Sequence, residues 1–189
     1  GFDQGLGANE PNVILKVRSP NLPQSQSVLI MEIGNTQSYH SLHRKALTYF
    51  DPGSPIQYCI VIKLDMDAIV PGVPRTFAAI AVLYSSNDVV SGATPVDACF
   101  FGTYKGNPPD SRLVPPHIIR NANGFVPPVG PGTHTIPVDT TRLFVGTNYY
   151  VTGGEGVPPS LTNINNLPQA PYALDLFPIH QELMNCIDE

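Results

Sequence analysis

The alternation of apolar and polar residues along the chain predicts a mixture of strands and helices. Short apolar runs rich in β-branched and aromatic residues, bounded by Gly, Pro, Asn or Asp, are typical of strands. Five such runs lie in the first half of the chain, at residues 12–17, 28–33, 57–65, 76–85 and 96–104. The nearly continuous apolar run at 57–65 indicates a strand that is covered on both faces.

Between the second and third runs, the hydrophobic period changes to that of a helix. In residues 38–50 the apolar side chains recur every three or four positions, at Tyr39, Leu42, Ala46 and Phe50. Thr36 or Ser38 is a suitable N-cap. A strand, a helix and a strand in succession predict a βαβ unit, whose strands are parallel if they join one sheet. The next two strands could then form a meander.

The second half of the chain is dominated by loop-forming residues. Residues 106–132 are rich in Pro, Gly and Asn but contain apolar anchors such as Val114 and Ile118, which predicts an ordered loop packed on the domain. We expect short edge structure at 133–138 and 143–144, a second loop at 153–171, and a terminal helix within 172–187 that starts near Pro178. The pattern predicts one α/β (α+β) domain over residues 1–189, with a mixed central sheet.

Composition and charge narrow the class of protein. The 189 residues include 16 Gly and 21 Pro, which argues against a helical bundle, and the charged fraction is only 13%. The net charge of −5 lacks the strongly basic character of a typical nucleic-acid-binding domain, so any contact with DNA must be local.

Cysteine usage and apolar run length bear on location. Cys59, Cys99 and Cys186 are odd in number, widely spaced and flanked by apolar residues, which predicts buried thiols rather than disulfides or a zinc site.

No apolar run approaches the roughly 20 residues that span a bilayer, so no membrane partner is expected. We expect an intracellular, cytoplasmic protein. Because the chain begins at Gly1, secretion after removal of a signal peptide is the alternative.

One carboxylate lies inside the apolar run at 28–33. Burial of Glu32 is costly unless the carboxylate is paired or binds a cation. A cation on Glu32 could activate water against a phosphodiester, with Lys45 orienting that water or neutralising charge on phosphate. The residues by themselves favour two simpler alternatives, an ion pair between Glu32 and Lys45 or an exposed Glu32 at a strand end. Histidines 40 and 43, three apart on the helix, are expected on a solvated face.

The order of these residues resembles a known family. Glu32-Ile33-Gly34, then Ser38, a helical Lys45 followed by Tyr49, a Gly/Pro turn and a strand ending at Asp65 resemble the core of Uma2-like domains in the PD-(D/E)XK nuclease superfamily. The segment is also similar to a group of fungal proteins with a comparable strand and helix. The resemblance covers residues 28–65 well and 135–146 and 173–183 loosely.

The resemblance implies a fold, an activity and a site. The expected fold is restriction-endonuclease-like, and the expected activity is metal-dependent cleavage of DNA. Glu32 would be the ligand of Mg²⁺ or Mn²⁺ and act in catalysis with Lys45, whereas Gln37, Ser38 and Tyr49 would lie near the substrate.

Two positions depart from the family pattern and keep other functions open. Val28 stands where the family usually has Asp, and Gly34 stands where the superfamily usually has Lys. A non-hydrolytic binding, toxic or defence protein on the same fold is therefore the second hypothesis. An all-β capsid-like or lectin-like module is the third, and it would be favoured if residues 38–50 are not helical.

Overall fold

The mixture of strands and helices that the sequence predicts is present in the structure, a computed structural model. The structure describes residues 13–17, 26–51, 53–67, 76–86, 93–103, 112–121, 128–139, 143, 149–151, 160–162 and 172–187. The strands are β1 (Val13–Val17), β2 (Gln26–Gly34), β3 (Tyr58–Met66), β4 (Phe77–Ser86), β5 (Ala93–Gly102), β6 (Ile119–Arg120), β7 (Thr135–Val138), β8 (Tyr149–Val151), β9 (Ser160–Thr162) and β10 (Tyr172–Asp175). The α-helices are α1 (Tyr39–Thr48) and α2 (Phe177–Ile187), and a 3-10 helix spans Pro116–Ile118. The coarse α+β class is thereby confirmed.

Six strands form a mixed sheet in the order β1-β2-β3-β4-β5-β6. Strands β2 and β3 are parallel, with Glu32 opposite Val61, and α1 connects them. Strands β3, β4 and β5 are antiparallel neighbours, whereas β6 pairs in parallel with β5. The predicted βαβ unit and meander are confirmed. Helix α1, at Tyr39–Thr48, lies within the predicted helical segment 38–50 and argues against the all-β hypothesis.

The two faces of the sheet pack against different partners. Because alternate residues of a strand point to opposite faces, β3 supplies Cys59 and Val61 to one side and Ile60 and Ile62 to the other. Helix α1 covers the first side. The ribbon of β7 and β10, together with α2, covers the second. Strand β3 is buried on both faces, as its apolar run predicts.

The N-cap and the apolar face of α1 explain where the helix begins and which side of it packs on the sheet. The Ser38 side chain accepts a hydrogen bond from the Ser41 N–H at 3.2 Å, which satisfies one of the free donors of the first turn. Leu42 and Ala46 are buried against the sheet. Gly34, the last residue of β2, lies directly beneath Leu42, because any Cβ there would come within 2.8 Å of a Leu42 methyl group.

The predicted terminal helix near Pro178 is confirmed, but a strand that was not predicted precedes it. The structure places strand β10 at Tyr172–Asp175 before the helix, which begins at Phe177 with Pro178 in its first turn. Pairing with β7 accounts for the strand, since Leu174 lies opposite Ile136 in the antiparallel ribbon and packs on the core. Leu174 and Phe177 are three residues apart, a spacing that also fits a helix, so the local sequence does not distinguish strand from helix at Leu174. The contact with β7 determines that this segment is a strand.

The long Pro- and Gly-rich segment is partly structured. Residues 112–121 hold the 3-10 helix and β6, and Val114 is buried while Ile118 packs beside it. Residues 106–111 and 122–127 lie outside the described part, as does Phe144 of the predicted edge structure, whereas Leu143 is buried. Strand β9 lies within the loop predicted at 153–171. The single domain over 1–189 stays a prediction.

No helix in the described part of the chain has both the length and the apolar character needed to cross a membrane. Cys59 and Cys99 are free, buried thiols, as predicted. The side chain of Cys186, in α2, is outside the described residues.

We expect Gly34→Ala to lower the free energy of unfolding by about 1–2 kcal/mol, because the buried Leu42 side chain must shift to admit the new methyl group. Gly130→Ala is the matched control, since a Cβ at Gly130 meets no atom within 4 Å. Urea unfolding of the two variants measures the difference. Equal stabilities would show that α1 does not pack against Gly34 as described.

Candidate functional site

The carboxylate of Glu32 lies between strand β2 and helix α1 and is only 2% exposed. Lys45 donates a hydrogen bond from Nζ to Oε2 of Glu32 at 3.0 Å. The Tyr49 hydroxyl donates a second, short hydrogen bond to Oε1. Lys45 lies in the last turn of α1 and Tyr49 is its C-cap, so one helix end satisfies both carboxylate oxygens.

This geometry distinguishes between the two simpler alternatives for Glu32, an ion pair with Lys45 and an exposed strand end. The exposed strand end is wrong, because the side chain is buried. The ion pair with Lys45 is present, and Lys45 itself is 19% exposed at its side chain. The catalytic and metal-binding roles of these two residues stay predictions.

Groups around the carboxylate are held in their neutral forms. Burial raises the pKa of Tyr49 far above its ordinary value, and the hydrogen bond and charge of Glu32 add to this effect. Burial, followed by the charge of Glu32, likewise raises the pKa of the Cys59 thiol, although Lys45 opposes the shift. A thiol that stays protonated is a poor nucleophile, so this environment does not activate Cys59.

The predicted substrate-binding residues are separated along α1. Ser38 is the N-cap, where its side chain accepts from Ser41, and Gln37 is exposed just before it. Tyr49 lies at the opposite end of the same helix, about 16 Å from Ser38 along the axis at a rise of 1.5 Å per residue. The structure therefore brings Tyr49 to Glu32 and gives Ser38 a capping role.

The residues at this site do not fit a bound Mg²⁺ or Mn²⁺ ion. Mg²⁺ requires near-octahedral coordination by hard oxygen ligands, and both oxygens of Glu32 are already engaged by Lys45 and Tyr49. Across the described ranges, no group of three His, Cys, Asp or Glu side chains could hold a metal ion. Val28, at the family's Asp position, is part of the apolar core. Two acidic residues near the start of the given sequence, Asp3 and Glu10, lie outside the described residues.

A second polar network lies under the same helix. The hydroxyls of Tyr39 and Tyr84 are 2.5 Å apart, and Nδ1 of His43 lies 2.8 Å from the Tyr84 hydroxyl. Tyr84 belongs to β4 and is 0% exposed. Burial is the main cause that raises the pKa of Tyr39 to about 12 and the pKa of Tyr84 still further. Burial, with the charge of His40, lowers the pKa of His43.

This network was not predicted from the sequence. His40 is exposed as expected, but the expectation of a solvated face is wrong for His43, which is half-buried and bonded to Tyr84. Tyr39 and His43 are four residues apart on the helix, and Tyr84 carries a hydroxyl into a buried strand. The sequence feature that could have indicated this network is the hydroxyl of Tyr84 within an apolar strand, just as the carboxylate within an apolar strand drew attention to Glu32.

Another buried charge lies where β3 ends. Lys63 is buried and donates from Nζ to the Asn35 carbonyl at 2.7 Å, to the Leu64 carbonyl and to the carboxylate of Asp65. Asp67 accepts a hydrogen bond from the hydroxyl of Thr76. These contacts satisfy the ammonium group and tie the end of β3 to the segment that leads into α1.

Comparison with known proteins finds no matching family model, no matching curated protein and no matching solved structure. The site geometry is therefore the basis for a functional proposal.

The Tyr39 and Tyr84 hydroxyls should show energetic coupling. We expect Tyr84→Phe to lower the free energy of unfolding by about 1–3 kcal/mol, because it leaves the buried Tyr39 hydroxyl without this partner. The double change Tyr39→Phe with Tyr84→Phe should cost less than the sum of the single changes. Denaturant unfolding of the four proteins provides the cycle, and strictly additive losses would contradict the described hydrogen bond.

Proposed function

We propose that the chain is a restriction-endonuclease-like domain that acts by binding a partner and does not hydrolyse phosphodiesters. In this proposal Glu32 and Lys45 retain the strand and helix positions of a nuclease site but form a structural ion pair. One observation carries the proposal. The carboxylate that would hold the metal is buried, and both of its oxygens are bonded within the protein.

The topology around the pair supports the nuclease-like ancestry of the fold. A strand with a buried Glu, a helix with a Lys, and a second strand parallel to the first follow one another directly in β2, α1 and β3. The restriction-endonuclease-like core stays a proposal, as does an intracellular location.

Charge favours a polypeptide partner over nucleic acid. The phosphate backbone of DNA is bound through Lys and Arg side chains, and this electrostatic contribution supplies most non-specific affinity. The chain has 10 Lys and Arg residues against 15 Asp and Glu residues. Two of the lysines, Lys45 and Lys63, are engaged in ion pairs with carboxylates of the protein itself.

A metal-dependent DNA phosphodiesterase is the second candidate. The position of Lys45 next to Glu32 is compatible with it, because an ammonium group beside a metal-binding carboxylate could neutralise charge on phosphate, although the 3.0 Å contact itself occupies one oxygen of Glu32. This candidate requires a further carboxylate ligand from a part of the chain outside the described residues, and it requires Lys45 or Tyr49 to move off Glu32.

A cleavage assay separates the two candidates. We expect the wild-type protein to leave supercoiled plasmid intact with Mg²⁺ or with Mn²⁺, and to show no saturable binding of a labelled DNA duplex by fluorescence anisotropy. Metal-dependent nicking that Glu32→Gln abolishes, while the matched exposed change Glu182→Gln leaves it unaltered, would overturn the proposal and support the phosphodiesterase.

Stability measurements test the structural role of the pair. We expect Lys45→Met to lower the free energy of unfolding by about 2–4 kcal/mol, because it leaves a buried carboxylate without its cation. The double change Glu32→Leu with Lys45→Met should recover much of this loss. Glu182→Gln should change stability by less than about 0.5 kcal/mol. A Lys45→Met variant as stable as wild type would contradict the structural role.

A further inference from the structure

Two buried histidines lie on the side of the sheet opposite Glu32. His134 directly precedes β7, and His180 lies in the first turn of α2; they are 5% and 8% exposed. The N–H of Leu176 donates to the His134 carbonyl at 2.9 Å, and the N–H of His180 donates to the Leu176 carbonyl at 2.9 Å. Both histidines are thus tied through Leu176 to the junction between the ribbon and α2.

The surroundings of His180 suit a neutral imidazole. Its ring packs on the ring of Phe77 in β4, with centroids 5.4 Å apart. Its Nε2 atom is buried and has no hydrogen-bond partner. A protonated imidazole carries an N–H on both nitrogens, so the charged form would bury a donor with no acceptor. For His134, Nδ1 lies 3.2 Å from the Thr133 hydroxyl.

The charged groups nearby offer little compensation for a positive charge. The titratable or charged groups described on the elements around His180 are His134, Asp175, Glu182, Arg120, Asp97, Tyr58 and Cys99. Asp175 already accepts from the N–H groups of Gly132 and Phe177, and Glu182 is exposed. Arg120 carries the same sign as an imidazolium and bonds Asp97 and the Thr135 carbonyl.

We propose that His134 and His180 form an acid-sensitive latch that holds α2 and the β7–β10 ribbon on the sheet while both rings are neutral, and releases them when the rings are protonated. Release would uncover the apolar layer between the ribbon and the sheet, which includes Ile136, Val138 and Leu176. The latch lies on the opposite face from the ion pair of Glu32, so it operates independently of the proposed function.

The direction of the pH effect follows from the buried state of the ring. Burial, followed by the charge of His134, lowers the pKa of His180 below its ordinary value of 6.5. The released state therefore binds the proton more tightly than the docked state. Docking is fully favoured above about pH 6.5 and weakens as the pH falls below that value toward the lowered pKa. Each proton taken up on release changes the docking equilibrium by about tenfold per pH unit.

Hydrogen exchange at individual amides tests the latch. We expect the protection of amides in α2 and β10, corrected for intrinsic exchange, to fall at least about tenfold between pH 7.5 and pH 5.5, while the amides of β4 keep their protection. His180→Phe should flatten this dependence, because a second aromatic ring can pack on Phe77 without titrating. The exposed His40→Asn change on α1 is the matched control and should behave as wild type.

Two results would overturn the proposal. The first is protection in wild-type α2 that does not change over this pH range, a measurement that needs no variant to fold. The second is an acid-dependent loss that persists unchanged in both His180→Phe and His134→Leu, since the latch requires these rings to be the groups that titrate.

Discussion

The structure depends most on the way a carboxylate is accommodated between the sheet and a helix. Glu32 is buried, and it is tolerated there because the end of α1 brings an ammonium group and a phenol to its two oxygens. The apolar contacts of Leu42 and Ala46, with Leu42 close over Gly34, attach the helix to the sheet. The two directed hydrogen bonds to Glu32 add a polar contact at the C-terminal end of α1, beside the parallel strands β2 and β3.

The polar groups on the two faces of the sheet differ in what they can do. Under α1, the Tyr49 hydroxyl completes the ion pair of Glu32 and Lys45, and the hydroxyls of Tyr39 and Tyr84 bond to each other beside the ring of His43. The raised pKa values of these tyrosines keep the phenols neutral through the physiological range. Under α2, the buried polar groups are imidazoles, whose ordinary pKa lies within that range. On the α1 face the half-buried His43 has the Tyr84 hydroxyl as a partner, whereas Nε2 of His180 on the other face has none, which is why the proposed acid-sensitive latch lies under α2.

Much of the first half of the fold could be predicted, because its signals are local. The spacing of apolar residues in 38–50 and the continuous run at 57–65 identify α1 and β3, and the βαβ rule then gives parallel strands. Strand β10 could not be predicted, because the spacing of Leu174 fits a helix and only its pairing with Ile136 shows that it lies in a strand. At the site, the burial cost of Glu32 pointed to Lys45. The partnership of Tyr39 with Tyr84 joins residues 45 positions apart, and only the register of the sheet brings them together.

The central claim is that Glu32 is an internal partner of α1 and not a metal ligand. Titration of the ¹⁵N-labelled protein with Mn²⁺ tests this most directly, because the ion broadens the amide signals of residues near its binding site. We expect the signals of β2 and α1 around Glu32 and Lys45 to stay sharp at about 1 mM Mn²⁺, a concentration that fills weak carboxylate sites. Saturable broadening centred on Glu32, absent in Glu32→Gln, would contradict it.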